Sequence, residues 1–150
     1  MMEGAVALVP PRGYCIDRKS LKSNFALLAR CDVLGANTSS RNAPFGFITV
    51  SFSETETPDV LPTPKQIAKA TKVSAPQSIR SSKDYTVFQA RSPSPIDGMD
   101  SRHWRSVALI GGHVMSAVLY GPKAQRAVTV EGRDMLRSLV QRSIQKTPAQ

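Results

Sequence analysis

Short apolar runs alternate along this chain with polar, proline-punctuated connections, and the period of each run predicts its element. In residues 46–53, Phe47, Thr49, Ser51 and Ser53 face one way and Ile48, Val50 and Phe52 the other, the pattern of a strand with one buried face. Residues 6–9 and 25–31 read as short strands, the first closed by Pro10-Pro11 and followed by a Gly13-Tyr14-Cys15-Ile16 extension. Residues 84–91 are strand-like through Tyr85, Val87 and Phe88, and Ser92-Pro93-Ser94-Pro95 ends them.

Residues 103–120 predict a hairpin, because two apolar runs flank Gly111-Gly112, the pair that enters positive φ without steric cost. A two-residue loop sets Leu109 opposite Val114 and Val107 opposite Ser116 on one face. Ala108 then opposes Met115, and Trp104 opposes Leu119, on the other. Neither face is charged apart from Arg105 and His113, so the hairpin belongs in the interior of a sheet. Two helices are expected. Residues 64–73 carry proline at the first helical position, with Lys65, Lys69 and Lys72 outward. Residues 129–145 carry a stripe of Met135, Leu136, Leu139, Val140 and Ile144, with Arg133, Arg137, Arg142 and Lys146 elsewhere on the surface.

The segments 35–44, 54–63, 74–82 and 96–101 lack either periodicity or freedom from proline and are read as loops. The order of elements gives an α+β fold: an antiparallel sheet with a central hairpin, a short helix, and a C-terminal amphipathic helix packed on the sheet. A chain of 150 residues supports one domain, drawn at 1–146 with a frayed tail over 147–150.

Charge adds a constraint on partners. Lysine and arginine number 20 against 11 acidic residues, a formal net charge of +9, which draws the protein towards nucleic acid, anionic lipid or acidic polysaccharide. The basic residues are dispersed in sequence, and no run of them marks a dedicated track. An aromatic-glycine strand signature, a basic helix with heptads and a glycine clamp are all missing, so no specific nucleic acid is expected.

Cys15 and Cys31 each stand at the end of a strand-like run. If those strands are neighbours, a bridge closes a loop of about 15 residues, worth about 3 kcal/mol in the chain-entropy model. The alternative is two independent buried thiols. A disulfide brings with it an oxidising compartment, periplasmic or otherwise exported, against a cytoplasmic reading with reduced thiols. No apolar run reaches the length of a transmembrane segment, and residues 5–9 are too short for a signal-peptide core, so export requires a signal removed or lost from this chain.

The segments Gly13-Tyr14-Cys15-Ile16-Asp17 and Phe25-Ala26-Leu27-Leu28-Ala29-Arg30-Cys31-Asp32 resemble those of small exported proteins of alphaproteobacteria. The architecture is similar to PsbP-like folds. The resemblance implies envelope export and carries over no catalytic residues.

Candidate chemistry is sparse. His103 and His113 are the only histidines. His113 beside the turn reads as a structural imidazole, whereas His103 with Trp104 offers a cation-capable ring beside an aromatic, suited to a pocket rim. Asp97 and Asp100 are candidate paired carboxylates or oxygen ligands in the adjoining loop, so the possible ligand-binding set is His103, Trp104, Asp97 and Asp100. Cys15, Cys31, His103 and His113 match no zinc spacing, and no metal or other cofactor is expected. Nucleophile-elbow, phosphate-loop and dinucleotide motifs are absent from the sequence, so no catalytic residue is assigned. The reading is a non-catalytic binding or assembly accessory of the cell envelope, its partner an envelope protein or an anionic polymer. The alternatives are a cytosolic polyanion-binding or nucleic-acid-binding domain, and an enzyme with a site near residues 97–104.

Overall fold

A computed structural model describes residues 1–35 and 42–148. Seven strands, β1 (Tyr14–Ile16), β2 (Phe25–Arg30), β3 (Phe47–Glu54), β4 (Gln77–Ser81), β5 (Tyr85–Arg91), β6 (Arg102–Ile110) and β7 (His113–Tyr120), join in one sheet of order β1-β2-β3-β7-β6-β5-β4. Every pairing is antiparallel. Two helices, α1 (Pro64–Thr71) and α2 (Val130–Lys146), complete an α+β architecture that is mostly sheet.

Alternation in the strands decides where the core lies. In β3, Ile48, Val50 and Phe52 are buried while Phe47 and Thr49 are half-buried and Ser51 and Ser53 exposed. The buried set joins Ala26, Leu28, Val87, Ala108, Met115, Ala117 and Leu119 with Leu136, Leu139 and Val140 of α2 in one cluster. The β6–β7 register is Leu109 opposite Val114, Val107 opposite Ser116, Ala108 opposite Met115 and Trp104 opposite Leu119. Both glycines of its turn have positive φ. Helix α2 starts at Thr129, whose hydroxyl accepts from the Glu131 amide. Gly132 lets the first turn close on the preceding 3-10 turn (Arg126–Val128), since a Cβ there would collide with the Ala127 carbonyl oxygen.

The other face of the sheet carries a smaller core under α1. Thr63 and Gln66 form a reciprocal capping box, Pro64 occupies the first turn, and Lys72 ends the helix in the left-handed region. Ile67 packs with Phe88, Ala90 and Val107, flanked by Leu61, Val73 and Val114.

Three expectations change. Residues 6–9 form no strand: the Val9 and Ala7 amides donate to Ser143 Oγ and Thr147 Oγ1 of the C-terminal helix region, at 2.9 and 3.0 Å. With their amides satisfied there, and two prolines following that cannot donate to a ladder, these residues run beside α2 instead of in the sheet. Conversely, β4 lies inside the segment read as a polar loop. All five of its residues are exposed on the sheet edge, so it has no buried face to imprint a hydrophobic alternation. Thr147 is also anchored, because its hydroxyl accepts from Ala7 and donates to the Ser143 carbonyl; residues 149–150 lie outside the described residues. The loop expected at 35–44 falls largely on residues 36–41, also outside them, while Ala43 and Pro44 are buried.

Candidate functional site

At the amino-terminal edge, β1 pairs with β2, and Cys15 is bonded to Cys31 with a Cα–Cα distance of 4.9 Å. The Cys31 amide donates to the Gly13 carbonyl at 2.9 Å, which sets the two cysteines diagonally across the ladder. Nearby groups tie the same edge to the following loop. Tyr14 Oη donates to the Pro44 carbonyl at 2.8 Å, and burial pushes its phenol well above the usual range. Arg30 lies over the Phe45 ring, 4.0 Å from its centroid, and holds Asp32 through two hydrogen bonds of 3.0 and 2.7 Å. With both sulfurs in the bridge, the cysteines are not available as metal ligands.

The four candidate ligand-binding residues do not converge on one point. His103 and Trp104 are consecutive in β6 and leave the strand on opposite faces. Trp104 joins the core beneath α2, and its indole N–H has no hydrogen-bond partner. Asp97 is exposed in the preceding turn, whereas Asp100 is buried and fully engaged. It accepts from the Arg102 amide at 2.9 Å, from the Arg102 guanidinium at 2.9 and 3.3 Å, and from the Ala124 amide at 3.0 Å. The Arg102 hydrogen bonds, more than any other cause, hold its carboxyl well below the usual range. Asp100 is thus a clamp that closes the 92–101 connection onto the residues after β7.

His103 is fully buried and hydrogen-bonded through both nitrogens. Arg105 Nε donates to Nε2 at 2.9 Å, so Nδ1 carries the proton and donates to the Ser101 carbonyl at 3.0 Å. Burial, aided by the Arg105 charge, lowers its pKa below the ordinary value against the pull of the Ser101 carbonyl. The ring sits at the end of an aromatic row across three strands. Phe47 stacks on Tyr120, and Tyr120 meets His103 with the rings tilted, both centroid separations being 5.1 Å. His113 Nδ1 lies 2.8 Å from the Gly111 carbonyl beside the turn.

That aromatic row belongs to a sheet face that α1 covers only in part. Leu27 and Ala29 of β2, Phe47 and Thr49 of β3, and Val118 and Tyr120 of β7 are all half-buried, while the residues between them, Leu28, Ile48 and Leu119, are buried in the main core on the other face. No family model and no curated protein matches the chain. Its functional reading therefore rests on its own residues.

A second surface was invisible in the linear sequence. On the α2 side, Gln89 Nε2 donates to the Val128 carbonyl and Gln141 Nε2 to Tyr85 Oη, at 2.8 and 2.9 Å. Helix α2 therefore runs antiparallel to β5, and Arg133, Arg137 and Gln141, one turn apart, form the stripe beside that strand. Eight helical residues rise about 12 Å and four strand residues about 13 Å, so along the strand Arg133 comes level with Gln89 and Arg137 with Val87. Beyond β5, Arg80 of β4 opposes Val87 and Gln77 opposes Gln89. Arg91 continues the same face and opposes Arg102. Arg133 and Arg137, expected on the open surface, are in fact partly buried, with side-chain exposures of 14% and 33%.

Proposed function

We propose that this protein is a non-catalytic binding or assembly module of an oxidising, exported compartment, resembling the small exported proteins of alphaproteobacteria, and that its partner is an envelope protein seated on the open face of β2, β3 and β7. The observation that carries this reading is the sheet face itself. Leu27, Phe47, Val118 and Tyr120 remain half-exposed on strands whose opposite face is fully buried, and a contiguous apolar sheet surface of this kind serves protein association. Support also comes from the polar groups: His103 has both ring nitrogens engaged within the fold, and Asp100 is engaged by Arg102 and Ala124. The Cys15–Cys31 bridge supports the compartment, since such bonds persist where thiols are not kept reduced. No helix among the described residues is long and apolar enough to cross a membrane.

The test compares the wild-type chain and a Thr49→Glu/Val118→Arg variant in extracts of the cells that make it. The expected result is a wild-type protein recovered from the envelope fraction without free thiols, in a complex larger than the monomer, which the variant dissolves without losing its fold. Two free thiols in cytosolic protein would overturn the compartment. A monomeric elution indifferent to the variant would overturn the binding face.

A further inference from the structure

The arginines along β5 lie on the opposite face of the sheet from the aromatic row, so they call for a separate account. They lie along β5 from Tyr85 to Arg91, an extended strand about 20 Å long whose Tyr85 and Val87 are buried, so that the guanidinium groups themselves form the outer surface of the strip. One wall is α2, contributing Arg133, Arg137 and Gln141; the other is the edge strand β4, contributing Arg80 and Gln77. Four guanidinium groups, of Arg80, Arg91, Arg133 and Arg137, thus belong to one strip, and Asp134 pairs with two of them, Arg133 and Arg137.

Asp134 does not saturate them. It meets the guanidinium of Arg133 at 3.3 Å and Arg137 Nη1 at 3.9 Å, and its own side chain is more than half exposed. Arg137 Nε is buried with no hydrogen-bond partner, a donor that costs free energy unless something accepts from it. Arg80 donates from Nη1 only to its own neighbour's carbonyl, that of Ile79. Arg102, across the ladder from Arg91, is already held by Asp100 and adds little.

The chemistry of the strip narrows the ligand. Arginine presents a planar fork that pairs with carboxylate or phosphate in bidentate fashion. Beside the arginines stand the amides of Gln77, Gln89 and Gln141, groups that both donate and accept, of which Gln89 and Gln141 each give one N–H to the fold, to the Val128 carbonyl and Tyr85 Oη. Such a combination suits a chain that carries an anionic group and hydroxyls on every unit. Tyr85, the one aromatic ring of the strip, is buried, which leaves no open ring on which bases could stack. The recession of Arg133 and Arg137 between helix and strand favours a thin strand over a planar membrane surface.

We propose that the strip along β5, between α2 and β4, binds a linear acidic polysaccharide in extended form, its carboxylates on Arg80, Arg91, Arg133 and Arg137. The inference takes from the proposed function only the reading of the chain as a binding module. It uses a different face, so the loss of either activity leaves the other intact.

The experiment titrates the full, disulfide-bonded chain with polygalacturonate, with uncharged dextran and with oligothymidylate, following amide shifts by NMR and affinity by calorimetry. Two variants of equal charge loss are compared, Arg80→Gln/Arg91→Gln/Arg137→Gln on the strip and Lys65→Gln/Lys69→Gln/Lys72→Gln on α1. The expected result is shifts confined to β4, β5 and α2, an affinity for polygalacturonate reduced about tenfold or more by the strip variant and less than about threefold by the α1 variant, and a fall with salt between about 50 and 200 mM. The single variant Arg91→Gln, exposed at the end of β5, gives the same direction if the triple variant does not fold. Equal losses in both triple variants would reduce the binding to net charge and overturn the site. Oligothymidylate bound more tightly than polygalacturonate on the same residues would overturn the ligand class.

Discussion

His103 shows how one side chain ties stability to pH. Its buried imidazole is held neutral, with a folded pKa below the ordinary 6.5, so the unfolded chain binds a proton that the folded chain refuses. Stability contributed by this group is complete above about pH 6.5 and is lost as pH falls below it towards the folded pKa. Asp100 acts in the same direction at lower pH: its carboxyl is held ionised by Arg102 and Ala124, and its contribution is lost only as pH falls below the ordinary carboxylate range. Denaturant melts between pH 7.5 and pH 5 are expected to show falling stability, with a shallower slope in His103→Gln. Ring chemical shifts of His103 that titrate at or above the ordinary value would contradict the buried neutral tautomer.

Among the elements, α2 has the clearest energetic role. Leu139 is fully buried in the main core, and Leu139→Ala is expected to cost about 2 to 5 kcal/mol through lost transfer energy and the cavity left behind. Arg142 is exposed, touching the Pro10 carbonyl at 3.4 Å, and its replacement by alanine should stay within about 0.5 kcal/mol. Equal, small losses in the two denaturant melts would remove α2 from the core. At the far edge, β1 has only three residues, and the bond between Cys15 and Cys31, 16 residues apart, supplies what so short a strand lacks. Cys15→Ser/Cys31→Ser should lose about 3 kcal/mol, read as a lower urea midpoint, and an unchanged midpoint would show that the edge holds without its staple.

On the scale of the whole molecule, two unlike faces share one sheet: an aromatic and aliphatic surface over β2, β3 and β7, and an arginine strip beside α2. They lie on opposite faces of that sheet, and α1, packed on Phe88, Ala90 and Val107 of β5 and β6, leaves β2 and β3 open on its own face. The two proposed occupants therefore do not compete for one surface.

Local chemistry was enough to mark the elements that bury one face. Alternation in β3, the glycine pair between β6 and β7, and the Leu136-Leu139-Val140 stripe each follow from side-chain periodicity, which the linear order records directly. The same order could not reveal β4, whose residues are all exposed, nor the course of residues 6–9, which depends on the hydroxyls of Ser143 and Thr147 more than 130 positions away. It set His103 beside Trp104 as a pair, and the pleat of the strand sends them to opposite faces. It also scattered Arg80, Arg91, Arg133 and Arg137 over three elements. Only the antiparallel run of α2 along β5, and the pairing of β4 with β5, bring those charges into one row, because neighbours across a sheet are chosen by register and packing and not by distance along the chain.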